Sequence, residues 1–335
     1  MITLKDIANE AGVSVMTVSR AINGVNSKVS DEKRRQIMEI VERRGYVSNS
    51  SARSLSSRSS KLIAVLVKDN IQSSQYNSRM VGYICTCIQQ YDYSPLLYMV
   101  KDYTYVTKQL RTWNVDGAIF LGLFDSDLKR IQADNKIPLV FTDSYSPIRQ
   151  MTNVGIDDNK GGVLAARHIA SFGHKNIAFV GLRNDDSPVL NERLRGFQQG
   201  LAEFGLTIPP GYILPDDPPP TKDELQRLCS GSNPVTAIFA TADYLALKIM
   251  KELHDAGIRV TEDCSVMGFD DLDISEFCTP ALTTIHQDIE RKAILATELL
   301  FTCIQNRDTP SQNIILDVEL VVRGSVAEPP KNRKD

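Results

Sequence analysis

The chain has 335 residues, of which 42% are apolar and 24% are charged, the proportions of a globular protein with room for two or three domains. No apolar run approaches the roughly eighteen residues of a membrane span, and the N-terminus lacks a signal-peptide core, so we expect a cytoplasmic protein. The six cysteines contain no Cys-x-x-Cys pair. This argues against a disulfide framework and a zinc site.

The charge is divided unevenly along the chain. Residues 1–61 hold 11 Lys or Arg and 6 Asp or Glu, a net charge of +5. The remaining residues hold 27 and 35, a net charge of −8. A basic head on an acidic body is typical of a nucleic-acid-binding module attached to another domain.

The first predicted elements are two short helices within Thr3–Asn23. Thr3 with Asp6 indicates a helix start of the capping-box type, and Gly12 ends that helix. Ser14 can cap a second helix immediately afterwards. The apolar positions recur at helical spacing and are Leu4, Ile7, Ala8 and Ala11, then Val18, Ala21 and Ile22.

Two helices joined by a tight turn form a helix-turn-helix, whose second helix enters the DNA major groove. The outward positions are Val15, Met16, Ser19, Arg20 and Asn23. An ordinary helical hairpin in a core is the alternative interpretation. The small, hydroxylated and cationic outer face suits phosphate and base contacts, so we favour DNA binding.

A third helix and a serine-rich segment follow. Val29 and Ser30 indicate the start of the third helix, and Gly45 its end, with Tyr46 closing the small core. The composition of residues 48–60 is that of a flexible tether. The same segment contains one short helical motif, which is Asn49 as a cap with Ala52 and Leu55 on one face. We expect such a helix to fold only when DNA orders it.

From Lys61 onward, short apolar runs alternate with amphipathic helices. The predicted strands are Leu62–Val67, Leu96–Val100, Ala118–Leu121, Leu139–Phe141, Ile177–Val180, Ala237–Ala240 and Ser265–Phe269, with a strand-rich segment at Asn313–Ser325. This alternation predicts parallel sheets covered on both faces, divided between two doubly wound subdomains. Ligands bind at the carboxyl ends of such strands, where Asp143 and Asp270 stand.

Catalytic motifs are missing from the sequence. It contains no Gly-x-Ser-x-Gly, no phosphate-binding Gly-x-x-x-x-Gly-Lys loop and no His-Glu-x-x-His. The four histidines are not at metal-ligand spacing. We therefore expect neither an enzyme nor a cofactor nor a metal. A sugar-modifying enzyme and a solute-binding transport protein are the alternatives from other classes.

The residues quoted above closely resemble the lactose/galactose-repressor (LacI/GalR) family of bacterial transcription regulators. The resemblance is carried by Thr3–Asn23, Val29-Ser30, Gly45-Tyr46 and Asn49 to Leu55. It continues in the body through Val115-Asp116-Gly117, Ala165–His174, Glu192–Phe197, Gly268–Asp271, Leu282–Asp288 and Leu320–Ser325. It therefore extends over nearly the whole chain in the same order.

The resemblance implies a helix-turn-helix head (1–47), a hinge helix (48–60), a periplasmic-binding-protein-like body (61–327) and a disordered tail (328–335). In the body it implies an N-subdomain of about 61–156 and 287–314, and a C-subdomain of about 157–284 and 315–327. It also implies a homodimer that acts at the nucleoid, represses a sugar-utilisation operon and binds a pseudo-palindromic operator. A tetramer or a co-regulator protein is left open, and no membrane is involved.

The site residues are carried over from the resemblance position by position. DNA contacts would come from Thr3, Leu4, Ser14, Val15, Met16, Thr17, Ser19, Arg20, Asn23, Asn49, Ala52 and Leu55. Among them Val15, Met16 and Arg20 stand at the family's specificity positions. The effector, a sugar, sugar phosphate or nucleobase, would contact Tyr76, Asp143, Arg193 and Asp270. Ala242 replaces the Asn that the family usually has before Asp243, which leaves the ligand open.

Overall fold

The computed structural model describes residues 2–22, 29–46, 59–68, 75–102, 105–122, 131, 137–144, 151–182 and 187–331. The chain divides into two compact units, Met1–Ser60 and Lys61–Asp335, which we call the head and the body. Each unit is described by itself. No helix in the described ranges combines the length and apolar character that crossing a membrane would need.

The described helices of the head are α1 (Leu4–Ala11), α2 (Val15–Ile22) and α3 (Asp31–Arg43). Their predicted caps are confirmed. Thr3 and Asp6 form the capping box of α1, and the side chain of Ser14 accepts a hydrogen bond from the backbone N–H of Thr17 at 3.1 Å. Gly12 has the left-handed φ of 62° at which a Cβ would be strained, so the turn between α1 and α2 suits glycine.

One apolar cluster holds the three helices of the head together. Its buried members are Ile7, Ala8, Ala11, Val18, Ala21, Ile37 and Ile40. Tyr46 packs against this cluster as predicted, as do Leu4 and Ile22. The apolar face of α2 is therefore fixed against its neighbours, which leaves its opposite face for contacts outside the head.

The body alternates strands with helices, and we number its elements in chain order. They are β1 (Leu62–Lys68), α4 (Gln75–Gln90), β2 (Ser94–Val100), α5 (Val106–Trp113), β3 (Gly117–Leu121), β4 (Leu139–Thr142), β5 (Thr152–Ile156), α6 (Asp158–Ser171), β6 (Ile177–Leu182), α7 (Pro188–Ala202), β7 (Ile213–Pro215), α8 (Lys222–Leu228), β8 (Ala237–Ala240), α9 (Asp243–Asp255), β9 (Ser265–Met267), α10 (Ile274–Phe277), β10 (Thr284–Gln287), α11 (Ile289–Gln305), β11 (Asn313–Leu316) and β12 (Val318–Val321).

The first sheet of the body is parallel and has the strand order β11-β5-β4-β3-β1-β2. Alternate residues of β1 serve opposite faces, because side chains alternate along a strand. Ile63 and Val65 pack with residues of α4 and α11, such as Ile84 and Ala296. Ala64 and Leu66 pack on the other face, toward α5. The predicted parallel sheet covered on both faces is confirmed.

A second parallel sheet has the strand order β7-β6-β8-β9, and an antiparallel pair joins β10 to β12. Helices α6 and α7 cover one face of this second sheet, where Phe179, Phe197 and Phe239 form an aromatic cluster. Helix α9 packs on the other face. The second sheet and its helices form the second part of the body.

The chain passes between the two parts more than once, since α11 and β11 return to the first part after β10. Ile289, Ala293 and Leu300 of α11 belong to the core of the first part. Strand β11 pairs with β5 as far as Leu316, whereas the prediction assigned residues 315 onward to the C-subdomain. Among the predicted effector residues, Asp143 follows β4 and Asp270 follows β9, whereas Tyr76 lies in the first turn of α4 and Arg193 lies within α7.

Candidate functional site

The outward face of α2 is exposed at its first turn. The exposed fractions of Val15 and Met16 are 44% and 61%, and Met38 on α3 is also exposed, at 40%. Arg20, one turn further along, is half-buried. The first turn of α2 therefore presents an exposed apolar pair, with a guanidinium one turn later.

The other predicted DNA-contact residues of the head make contacts within the protein. Ser14 and Thr17 share a hydrogen bond of 2.9 Å between their hydroxyls, and Thr3 is tied to Asp6 by the capping box. Leu4 packs on the apolar cluster, and Ser19 is half-buried. These residues hold the ends of α1 and α2 in place. Asn23, Asn49, Ala52 and Leu55 lie outside the described residues.

Two cations at the end of α3 have a partner within the head. The Arg44 guanidinium donates to Glu10 at 2.8 Å, and Arg43 also pairs with Glu10. Hydrogen bonding to Arg44 lowers the pKa of Glu10, so this carboxylate stays charged. The pair ties α3 to α1.

In the body, Tyr76, Asp143 and Lys292 form a closed network. The Tyr76 hydroxyl donates to one oxygen of Asp143 at 2.7 Å. The Lys292 ammonium donates to the other oxygen at 2.7 Å and to the Tyr76 hydroxyl at 2.9 Å. Burial and the nearby charge of Asp143 raise the pKa of Tyr76 well above its usual value, so the phenol keeps its proton. Asp143 stands just after β4, with a left-handed φ of 56°.

Asp270 joins this network through Gln287. The Gln287 amide nitrogen donates to Asp270 at 2.6 Å, while its amide oxygen accepts from Lys292 at 2.8 Å. Burial raises the pKa of Asp270 from 3.8 to about 8, against the opposing effect of Arg193. Burial therefore favours the protonated form of Asp270, which can donate a hydrogen bond as well as accept one.

Arg193 is fixed on three sides. Its Nε donates to Asp158 at 2.6 Å, its Nη1 donates to the backbone oxygen of Thr241 at 2.5 Å, and its guanidinium stacks on the ring of Phe269 at 3.5 Å. The charge of Arg193 is thus paired within the protein. Its stacked, forked geometry is that of arginines that bind planar or oxygen-rich partners.

Glycines let the elements around Arg193 approach each other. A Cβ on Gly162 would lie 2.2 Å from the backbone oxygen of Arg193, and one on Gly161 would lie 2.6 Å from the ring of Phe269. Helix α6 can therefore lie against α7 and Phe269 only because these positions lack a side chain. The Gly161-Gly162 pair serves close packing rather than anion binding.

Asp243 is a buried carboxylate near Asp270. Its carboxylate accepts from the Leu272 backbone at 2.7 Å, from Ser275 at 2.7 Å and from Thr284 at 2.5 Å. Burial raises its pKa to about 6, while these hydrogen bonds oppose the rise. It thereby links α9 to the segment after Asp270. The preceding residue, Ala242, caps α9 without a side-chain hydrogen bond.

The structure brings the four predicted effector residues into one neighbourhood, which we call the cleft. Asp143, Asp270 and Arg193 all act there on the pKa of Tyr76. The hydrogen bonds of Asp143 and Asp270 described here go to side chains, not to the backbone groups that a strand-end cap would use. The sequence prediction missed Lys292 and Gln287. A signal was present for Lys292, which interrupts the helical apolar spacing of Ile289, Ala293 and Ala296.

Two of the four histidines, His174 and His286, have structural partners. His174 bonds Thr236 at 2.8 Å and the backbone oxygen of Ala327 at 2.7 Å, and His286 lies 2.9 Å from Asp271. Throughout the described ranges, no group of three or more His, Cys, Asp or Glu side chains could hold a metal ion. The cleft therefore offers hydrogen-bonding side chains and the planar guanidinium of Arg193.

Comparison with known families and proteins gives consistent matches. Residues 3–49 match "Bacterial regulatory proteins, lacI family", and residues 166–326 match "Periplasmic binding protein-like domain". The HTH-type transcriptional repressor CytR of Escherichia coli K12 is 30% identical over 338 residues, which cover 96% of each chain. The HTH-type transcriptional regulator DegA of Bacillus subtilis is 31% identical over 97% of this chain and 98% of the relative.

Solved structures extend the similarity to the fold. The lac repressor dimer bound to operator and the anti-inducer ONPF has a TM-score of 0.85 at 25% identity, over 97% of this chain and 98% of that one. A CelR–cellobiose complex has a TM-score of 0.71 at 26% identity, over 97% and 100%. A LacI family regulator from Enterococcus faecium with bound ribose has a TM-score of 0.68 at 26% identity, over 80% and 99%.

Proposed function

Because the chain belongs to the LacI family of bacterial regulatory proteins, we propose that it is a dimeric repressor of a sugar-utilisation operon whose operator affinity is set by a small effector. Its relatives are transcriptional repressors and regulators, so the chain is a DNA-binding transcriptional regulator and not an enzyme. The alternatives of a transport component and a sugar-modifying enzyme are thereby set aside. We assign the regulator to the cytoplasm, at the nucleoid.

Operator reading is assigned to the exposed face of α2. Arg20 can bond a guanine with two parallel hydrogen bonds, whereas Val15 and Met16 offer apolar contact, for example to a thymine methyl group. Their exposure in the head supports this division. The remaining DNA contacts that we assign in the described head are Thr3, Leu4, Ser14, Thr17 and Ser19.

The hinge contacts remain predictions because they lie outside the described residues. We propose that residues 1–47 recognise the half-site and that residues 48–60 fold into a helix at the operator centre. Asn23 would extend the reading face, and Asn49 and Ala52 would contact the backbone. Leu55 would enter the minor groove as an apolar wedge, a known way to kink DNA.

The effector is assigned to the network around Tyr76, Asp143, Arg193 and Asp270 within residues 61–327. The charges there are paired inside the protein, Asp143 with Lys292 and Asp158 with Arg193. Such a site favours a neutral ligand rich in hydroxyl groups over a cation. Cellobiose in one structural relative and ribose in another support a sugar. Sugar phosphates and nucleobases complete the set of candidates.

One observation carries the proposal: the exposed reading face of α2 stands in a chain that matches a repressor over 96% of both lengths. The test is selection of the full-length protein against a random DNA library, followed by titration of the enriched fragment. We expect a pseudo-palindrome whose affinity falls steeply with salt, because bound phosphates release counterions. Enrichment of no palindromic fragment over random DNA at moderate salt would contradict the proposal.

The assembly is a separate part of the proposal. A dimer matches the two halves of a pseudo-palindrome, and the structural relative bound to operator is a dimer. Sedimentation of the protein with and without operator distinguishes this dimer from a tetramer. A co-regulator protein would be indicated if the purified dimer bound its operator much more weakly than the protein in extract.

A further inference from the structure

Lys292 is a charged residue at a core position. It lies on the face of α11 that packs into the first part of the body, next to the buried Ile289, Ala293 and Ala296, and its side chain is 0% exposed. Burial of an ammonium is strongly unfavourable unless its charge and its donors are satisfied. A well-packed apolar residue would often be at least as stable there. Lys292 therefore calls for an explanation beyond packing.

The ammonium of Lys292 uses each of its three donors. They go to Asp143 at 2.7 Å, to Gln287 at 2.8 Å and to the Tyr76 hydroxyl at 2.9 Å. The three acceptors come from different elements, namely the end of β4, the end of β10 and the start of α4. Lys292 thus joins residues that are distant in sequence at one point.

Each of these bonds fixes the orientation of its partner. Asp143 is held through both carboxylate oxygens, one by Lys292 and one by Tyr76. Gln287 can present only its amide oxygen to Lys292, because an ammonium only donates. Its amide nitrogen is thereby directed to Asp270, at 2.6 Å. A series of hydrogen bonds thus connects the two carboxyl groups of the cleft, from Asp143 through Lys292 and Gln287 to Asp270.

We propose that Lys292 is a positioning residue of the ligand cleft, which holds Asp143 directly and Asp270 through Gln287 in the orientations that one hydroxylated ligand would meet. The proposal rests on the proposed assignment of Asp143 and Asp270 to the effector. It adds a residue that acts from behind the cleft and contacts the ligand through these partners. In this arrangement Asp143 accepts hydrogen bonds while Asp270 can also donate one.

The proton on Asp270 provides a readout that packing alone would not move. The charged and titratable groups around Asp270 are Arg193, Asp243, Lys292 and Tyr76. Burial raises the pKa of Asp270 to about 8, and the positive charges of Arg193 and Lys292 oppose this rise. Removal of the Lys292 charge should therefore raise the pKa of Asp270 further, whereas loss of a remote lysine should not.

The experiment is a titration of full-length protein labelled with ¹³C-carboxyl aspartate, followed by infrared difference spectroscopy. The wild type should show a protonated carboxyl band that disappears with a midpoint near pH 8, and Asp270→Asn should lack it. Lys292→Met should move the midpoint upward by about one pH unit. Lys160→Met, which removes a partly exposed lysine paired with Asp317, is the matched control and should leave the midpoint unchanged.

A second variant covers the case in which Lys292→Met does not fold. Lys292→Met combined with Asp143→Asn removes both charges of the pair, so no buried charge is left without its partner. This double variant should fold, and its midpoint should lie above that of Asp143→Asn alone, because the two proteins differ only in Lys292. An unchanged midpoint in both comparisons, Lys292→Met with the wild type and the double variant with Asp143→Asn, would overturn the proposal.

Ligand titration adds a measure of affinity. Ribose and cellobiose are titrated by calorimetry into the wild type, Lys292→Met and Lys160→Met. For a sugar that binds the wild type, at least tenfold weaker binding to Lys292→Met than to Lys160→Met supports the positioning role, and equal binding overturns it. If neither sugar binds the wild type, the carboxyl titration decides. Neither measurement involves DNA, so failure of operator binding would be recognised separately.

Discussion

The head and the cleft place their functional side chains in opposite environments. On α2, Val15 and Met16 are exposed by 44% and 61%, and the helix is held from behind by its apolar face. In the cleft, Lys292 is 0% exposed and Arg193 7%. Lys292 donates hydrogen bonds to Asp143, Gln287 and Tyr76, and Arg193 donates to Asp158. Substitutions on the exposed face of α2 should therefore leave the fold intact, whereas substitutions of the buried side chains in the cleft should also affect stability.

The largest expected effect is a complete loss of operator binding when the head is removed. Deletion of residues 1–60 should abolish operator binding, because the reading helix lies in the head. The body should remain folded, since its two sheets and apolar clusters lie within residues 61–335. Circular dichroism and a gel-shift titration measure the two outcomes. A truncated protein that still bound the operator would contradict the assignment of DNA recognition to the head.

The next effect concerns the packing that supports Arg193. Gly162→Ala should destabilise the protein by about 3 kcal/mol, because its Cβ would lie 2.2 Å from the Arg193 backbone oxygen and the helices must separate. Gly82→Ala is the matched control, since Gly82 is an exposed helical glycine with open space around its Cβ position. It should stabilise by roughly 0.5–1 kcal/mol. Equal free energies of unfolding for the two variants in urea would contradict this role of Gly162.

A smaller effect follows from the proton on Asp270. Because burial raises its pKa from 3.8 to about 8, the folded state keeps a proton that the unfolded chain loses as the pH rises above about 4. This contribution to stability is full below pH 4 and is lost as the pH rises to 8. Asp243, with a pKa of about 6, gives the same trend at lower pH.

Asp270→Asn therefore isolates the interval between pH 6 and 8. The unfolding free energy of the variant should fall less there than that of the wild type, by about 2 kcal/mol over the interval. Urea unfolding of both proteins at pH 6, 7 and 8 measures it. Parallel curves would mean that Asp270 is ionised in the folded protein.

In the head, Arg20→Ala should weaken operator binding by roughly 1–3 kcal/mol with little change in the free energy of unfolding. If Arg20 contacts a base, the variant also loses preference at one operator position. Arg195→Ala removes an exposed arginine of the body that pairs with Glu192, and should leave DNA binding unchanged. Uniform weakening across all sequences would reassign Arg20 to a phosphate contact.

The contrast between the regions also explains what the sequence could predict. The caps at Thr3, Ser14 and Ser30 were predicted because capping joins residues a few positions apart. Lys292 and Asp143 are 149 residues apart, so no local spacing indicates that they meet. The four cleft residues were proposed from the resemblance to a family, whereas their contacts with Lys292 and Gln287 became visible only in the structure.

Strand β5 shows a second limit of sequence patterns. Thr152–Ile156 is fully buried between β4 and β11, although Asn153 and Gly155 are residues typical of turns. Asn153 is accommodated because its side chain accepts from the backbone N–H of Ser144 at 3.1 Å and donates to Asn313 at 2.9 Å. Tertiary contacts therefore override local preference at this strand.

We propose that effector occupancy of the cleft controls operator binding by α2, a coupling between two distinct sites. The most direct test is to screen sugars, sugar phosphates and nucleobases for those that raise the melting temperature, then to titrate operator in the presence of each. We predict that a stabilising compound changes operator affinity in the wild type and neither binds nor acts on Asp143→Asn. Stabilising compounds that leave operator affinity unchanged would contradict the account.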